Sequence, residues 1–408
     1  MSNGMFDSIK NGKYDKLTLI NMFSIVFIIS IFFIDGITRY KKGISILIVI
    51  LSLITLFKSK KNKAFALYNN KVFFFSLFFS LFLLLSSLYS EDQEETVKYA
   101  FNSTFNYGLL FFILFIPILL YKLDKKEIFQ ILTFSFIFGL TLNCTIELTR
   151  YYLEYINNGT LPFTTYSFRE ISNSLVFYFP ALLILLFSEK TKYSFYLTLL
   201  LIVFSFILLG TLSRGAWLAI LVSCITFFPL IKNWKIPLAT LIVIGITFIT
   251  LKVITNENNI LLFSKLEQTS SSNRYENGTQ GTALEMIKER PILGYGYGNN
   301  VYDAVYNEKV SQHPDWIYKK SIGPHNTFLF IWFGSGLLGL TLFISMIIMA
   351  FISLLKNLKS DCIYTKKISI ILITILVGYL LTRGMFEQMD IKPIGIILGF
   401  LLLIQKKT

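Results

Sequence analysis

Charge is scarce in this chain. Only 15% of its 408 residues are Asp, Glu, Lys or Arg, against about 25% in a typical soluble domain. That shortfall excludes an ordinary water-facing surface. Histidine is scarcer still, with His313 and His325 alone in the whole sequence. A histidine cluster for a metal is excluded, and no Asp-x-Asp pair offers a substitute. The three cysteines, Cys144, Cys224 and Cys362, stand far apart and mostly inside apolar runs, so they suggest neither a disulfide framework nor a metal site. No internal repeat is visible, and the polar, basic residues 1–16 lack the pattern of a cleavable signal.

Apolar residues are abundant. They make up 54% of the chain, Phe alone contributes 41, and the mean hydropathy is +0.61. Runs long enough to span a bilayer recur from Leu17 to Ile404. The pattern predicts an all-α polytopic membrane protein with about twelve transmembrane helices. The net charge of +14 does not point to nucleic acid, because no basic stripe carries interleaved stacking aromatics. The lysines instead cluster in short loops, such as KSKKNK at 58–63, as the positive-inside rule requires of cytoplasmic loops. Both termini are then expected inside, an arrangement that fits the lysines everywhere except the small RYKK loop.

Three segments follow from this topology. Residues 1–254 carry transmembrane helices 1–9, residues 255–325 form one large outer loop, and residues 326–408 carry helices 10–12. The fifth run is expected to end near Leu148 and to open into an aromatic-rich outer loop. The acidic stretch EDQEE at 91–95 reads as another outer loop. The ninth run is expected at about Ile236 to Ile254.

The outer face gathers the residues that carry chemistry. Arg214 sits between two apolar runs in LLGTLSRGAWLA. A cation so placed costs roughly 2.5–3.5 kcal/mol at mid-span on insertion scales, less near the interface, and is a functional hypothesis by default; the alternative is a topology-setting, snorkelling Arg. Ser213 is expected to cap the next helix, whose N-terminus is a ready anion site. Arg274, Arg290 and Arg383 fall on the same face, and arginine suits bidentate binding of phosphate. Glu387 and Asp390 offer a counter-charge to Arg383 or a contact to a sugar. The glycines of GYGYG, 294–298, resemble a phosphate loop only superficially. They read as a tight turn, with Tyr295 and Tyr297 in the membrane interface. His325 stands in Pro324-His325-Asn326 at the first turn of an apolar helix, placed for proton transfer; plain capping chemistry is the competing reading.

Taken in order, SRGAW at 213–217, Asn273-Arg274, RPILGYGYGN at 290–299 and PHN followed by GLLGL resemble the O-antigen ligase and O-antigen polymerase superfamily. The motifs cover about residues 200–350. The resemblance implies a GT-C-like glycosyltransferase of the bacterial inner membrane, with its active site facing the periplasm. It implies metal-independent, inverting transfer of a glycan from undecaprenyl pyrophosphate, without a cofactor. His325 then matches the general base, and Arg214 and Arg274 match the arginines that bind pyrophosphate. Arg290, Asn326 and Arg383 join them here as candidate substrate-binding residues. The ligase, with lipid A–core oligosaccharide as acceptor, is favoured over the polymerase, which joins lipid-linked repeat units. A transporter fits less well, since it predicts repeats and mid-span charges.

Overall fold

The computed structural model describes residues 14–58, 66–160, 162–189, 192–232 and 274–405. The ninth apolar run, the first part of the large loop with Asn273, and most of the 58–63 lysine cluster lie outside the described residues. Among the described residues every regular element is helical. In chain order these are α1 (Lys16–Ser30), α2 (Thr38–Lys58), α3 (Lys71–Leu85), α4 (Gln93–Thr104), α5 (Leu109–Leu120), α6 (Lys125–Asn158) and α7 (Ser172–Phe187). There follow α8 (Ser194–Gly210), α9 (Arg214–Leu230), α10 (Thr279–Glu289), α11 (Asn299–Lys309), α12 (Thr327–Asn357), α13 (Ile363–Ile375) and α14 (Lys392–Ile404).

The chain is a polytopic helical membrane protein. Among the described residues six helical stretches are long and apolar enough to cross a bilayer by length and composition, and five shorter apolar helices accompany them. Each of the eleven predicted runs that lies in described residues coincides with one of these. Large apolar side chains point outward, among them Phe195 at 84% and Ile202 at 62% exposed. In water such a surface would aggregate; in lipid it is the expected exterior.

Polar residues between the runs start the helices. Asp15, Asn70 and Asp92 accept from backbone N–H groups of α1, α3 and α4, and Asp124 with Glu127 forms a capping box on α6. Two loops expected from composition turn out helical. EDQEE leads into α4, where Glu94 and Glu95 occupy the first turn and complement the helix dipole. α6 runs ten residues beyond Leu148 because its first stop signal is Gly159, at φ +64. Its 34 residues span about 51 Å, so its last turns project beyond a hydrocarbon core of about 30 Å.

Glycine sets the closest helix contacts. Gly395 and Gly399, spaced i,i+4 on α14, meet the backbone of α5: a Cβ would stand 2.4 Å from Leu109 O and 2.7 Å from Phe112 O. Small residues four apart let two backbones approach this way in membranes. α12 breaks at Gly336 (φ +63, ψ −170), and the segment 291–296 crosses it there. Tyr295 N donates to Phe333 O, Gly296 N to Gly334 O, and Leu337 N to Pro291 O. The crossing satisfies backbone groups that the break sets free. The expectation for Tyr295 and Tyr297 is thereby corrected. They are 2% and 3% exposed, packed on Phe333 and Phe330 rather than lying in an interface.

Candidate active site

The long helix α12 begins one residue later than the motif suggests. Asn326 is its N-cap, accepting from Phe328 N at 2.9 Å and Leu329 N at 3.1 Å. Pro324 and His325 therefore precede the helix, and His325 is not in the first turn. Its backbone sits at φ +46, a left-handed conformation that costs a non-glycine residue about 1–3 kcal/mol and persists only when its surroundings impose it. Gln280 supplies part of that restraint: its Nε2 donates to His325 O at 3.2 Å and to Met385 O at 3.0 Å.

The imidazole meets a carboxylate. His325 Nδ1 lies 2.6 Å from Glu387 Oε2. The other oxygen, Oε1, stands 3.8 Å from Arg274 Nη2 and 3.8 Å from Arg383 Nη1. Burial alone would push the Glu387 carboxyl up. The hydrogen bond from His325 and the charges of Arg383 and Arg274 outweigh it and hold the group below the usual carboxylate range. A charged Glu387 is the acceptor for a proton on Nδ1, which leaves Nε2 as the basic nitrogen.

Arg383 reaches this point through an irregular helix end. α13 passes into a π-helical stretch, Leu376–Thr382, and then a short 3₁₀ turn, Arg383–Met385. Such bulges recur at functional sites because they re-aim the residues beyond them. Arg383 is only 4% exposed. It donates to Ser213 Oγ and Ser172 Oγ, each at 2.9 Å, and to Asn173 Oδ1 at 3.3 Å. Arg383, a candidate for binding substrate, thus ties α7, α9 and the Glu387 loop together. Ser213 does stand at the N-cap of α9, but its hydroxyl serves Arg383 and makes no side-chain cap.

Arg214 opens α9 beside this cluster and is half-buried. Gly215 makes the closeness possible: a Cβ there would lie 2.7 Å from Arg383 Nη1 and 3.2 Å from Phe386 Cβ. Arg274 lies over the Phe386 ring at 5.6 Å and donates to Phe386 O. Its own carbonyl accepts from Gln280 N at 2.8 Å, which fixes the turn into α10.

The remaining candidates are placed differently. Asn326 is 5% exposed, its Oδ1 engaged in the cap and its Nδ2 3.4 Å from Met385 O. Arg290 pairs with Glu91 at 3.1 Å and lies over Tyr295 at 4.7 Å, contacts outside the His325 cluster. His313 stacks on Trp316 at 4.5 Å, in the packing of the loop. Among the described residues no three of His, Cys, Asp and Glu gather closely enough to hold a metal.

Sequence reasoning missed the Glu387–His325 pair, Gln280, Ser172 and Asn173. One signal was available: Arg383 and Glu387 are four apart in a short loop, the spacing of a helical ion pair.

The comparisons with known proteins fall on the same stretch. Residues 199–344 match a family model described as O-antigen ligase. That range holds the Arg214 hairpin, Arg274, the glycine crossing and Pro-His-Asn. The chain is also 41% identical over 388 residues to an O-antigen ligase of Salmonella typhimurium strain LT2, covering 93% of this chain and 94% of that protein. Identity at this level, carried across nearly the full length of both, means that the chain belongs to the O-antigen ligase family.

Proposed function

We propose that the protein transfers a glycan from undecaprenyl pyrophosphate to lipid A–core oligosaccharide at the periplasmic face of the inner membrane. The observation that carries this reading is the His325–Glu387 pair, 2.6 Å apart, with Arg274 against the same carboxylate and Arg214 beside it. Glu387 holds the imidazole with Nε2 free. Nε2 accepts the proton of an acceptor hydroxyl as its oxygen attacks the anomeric carbon. The bond from that carbon to the pyrophosphate oxygen breaks, and its electrons leave with undecaprenyl pyrophosphate. Attack opposite the leaving group inverts the anomeric centre.

Arg214 and Arg274 act on the leaving group. A pyrophosphate released into a low-dielectric site needs charge already in place, and fixed guanidinium groups supply it without reorganisation. In this reading no divalent cation is required. Arg383 does not contact substrate; it positions Glu387 and the start of α9.

The test is transfer by the purified protein, given lipid-linked glycan and rough lipopolysaccharide, in the presence of a chelator. Transfer should persist; dependence on a divalent cation would overturn the metal-independent reading. The polymerase is separated by a knockout. Loss of a ligase leaves long glycans on the carrier and bare core, whereas loss of a polymerase leaves core capped with one unit.

A further inference from the structure

A concavity opens among residues outside the His325 cluster. It is a groove of 1130 Å³ bounded by the start of α2, the end of α3 and one face of α4. One wall is apolar and open to the surroundings: Leu88 is 74%, Val97 45% and Phe101 53% exposed. The other wall is polar. Asn106 Nδ2 donates to Asn102 Oδ1 at 2.8 Å, which leaves the pair a further amide donor and carbonyl acceptor for a ligand. Lys42 and Glu94 add one charge of each sign. Glu95 is matched within the protein, by Lys98 at 3.4 Å and Asn300 Nδ2 at 2.9 Å.

The groove is joined to the catalytic loop. Tyr99 lines it, and its hydroxyl donates to Asn299 Oδ1 at 3.1 Å. The same oxygen accepts from Gln388 Nε2 at 2.6 Å. Gln388 is the neighbour of Glu387. Two of the loop's attachments stand on either side of Glu387. Phe386 is held by Arg274 and packs at Gly215, while Gln388 reaches toward the groove.

Amides and paired charges suit a polyhydroxylated head, and an apolar wall open to lipid suits acyl chains. We propose that this groove seats the acceptor glycolipid, with its chains along Leu88, Val97 and Phe101 and its sugar head against Asn102 and Asn106. This rests on the transferase reading above. It assigns the acceptor rather than the donor because the arginines suited to the pyrophosphate meet the loop at Phe386, and an inverting attack must come from the side away from the leaving group.

The experiment uses the full chain in lipid nanodiscs with rough lipopolysaccharide as acceptor. Asn102→Trp should raise the KM for acceptor by about tenfold, the size of one net hydrogen bond lost, with donor KM and kcat unchanged. A benzophenone side chain placed at Phe101 should crosslink to the acceptor far more than one at Leu209, which is exposed at the Arg214 end of α8 and reads bulk lipid contact in the same leaflet. Crosslinking no stronger than at Leu209 overturns the proposal. So does capture of the lipid-linked donor at Phe101, or a rise in donor KM alone. If the wild-type protein transfers nothing while Phe101 still captures the acceptor, the groove stands and the transferase reading falls.

Discussion

His325 is held in a backbone conformation that a non-glycine residue adopts at a cost, at φ +46. Gln280 on its carbonyl and Glu387 on its Nδ1 fix the residue from both ends. Such restraint is what a base needs, since proton transfer demands a fixed distance. His325→Ala should lower transfer by about 10²–10⁴ while membrane insertion and donor binding persist. A capping role would predict activity per folded molecule unchanged. His313→Ala is the control and should leave chemistry intact, because His313 only stacks on Trp316; equal behaviour of the two variants would remove His325 from the mechanism.

Arg214→Lys keeps the charge but not the fork. A point charge cannot bridge two phosphate oxygens in plane, so transfer should fall by about 10². Near-normal turnover in the Lys variant would reduce Arg214 to a topology marker. Glu387 gives a prediction with a definite sign. Its folded carboxyl titrates below its unfolded value of 4.5. The stability it adds is therefore complete above about pH 4.5 and is lost as pH falls through the lower, folded value. Thermal unfolding of wild type and Glu387→Gln should differ by a constant gap at neutral pH that closes in acid. A gap that stays constant through acid would show that Glu387 is not ionised in the fold.

At the scale of elements, the break in α12 fixes the segment 291–296, which lodges in it. A Cβ on Gly336 would stand 2.0 Å from Ile292 O, and φ is +63. Both the clash and the dihedral act against Gly336→Ala, and neither can relax through a side-chain rotation. Overpacking of this kind costs typically about 1–3 kcal/mol, so the variant should unfold at lower temperature in detergent; an unshifted transition would show that α12 is free to straighten.

The break also explains what could and could not be read in advance. Helices were legible because apolar runs of bilayer length have few alternatives, and His325 and Arg214 stood out through their rarity. Tyr295 and Tyr297 were misplaced because their burial depends on Gly336, some forty residues along the chain. The Glu387–His325 pair was illegible for a similar reason. The sequence offers Glu387 a counter-charge in Arg383, but its contact with His325 exists only once the end of α13 and the start of α12 are brought together. The helical extension of α6 escaped because composition marks where a chain leaves lipid, whereas Gly159 marks where the helix stops.

For the whole molecule, the distribution of charge along the helix axes supports the proposed orientation, with the RYKK loop at 39–42 as the exception. The His325 end carries Glu91, Glu94, Glu95, Glu387 and Asp390 together with the isolated arginines. α12 leads from that end to the opposite one, where Lys356, Lys359, Lys366 and Lys367 flank the turn into α13, and Lys122, Lys125 and Lys126 flank the start of α6. In the proposed orientation these lysine-rich short loops lie on the cytoplasmic side, as the positive-inside rule favours, and His325 faces the periplasm. Native Cys362 lies in the lysine-rich turn, and exposed Ser311 lies in the loop near His325. With the outer membrane permeabilised, a membrane-impermeant maleimide should label Ser311→Cys and leave Cys362 unlabelled until the inner membrane is opened. The reverse pattern would place His325 in the cytoplasm, where a periplasmic ligase cannot work, and would overturn the orientation and the proposed reaction together.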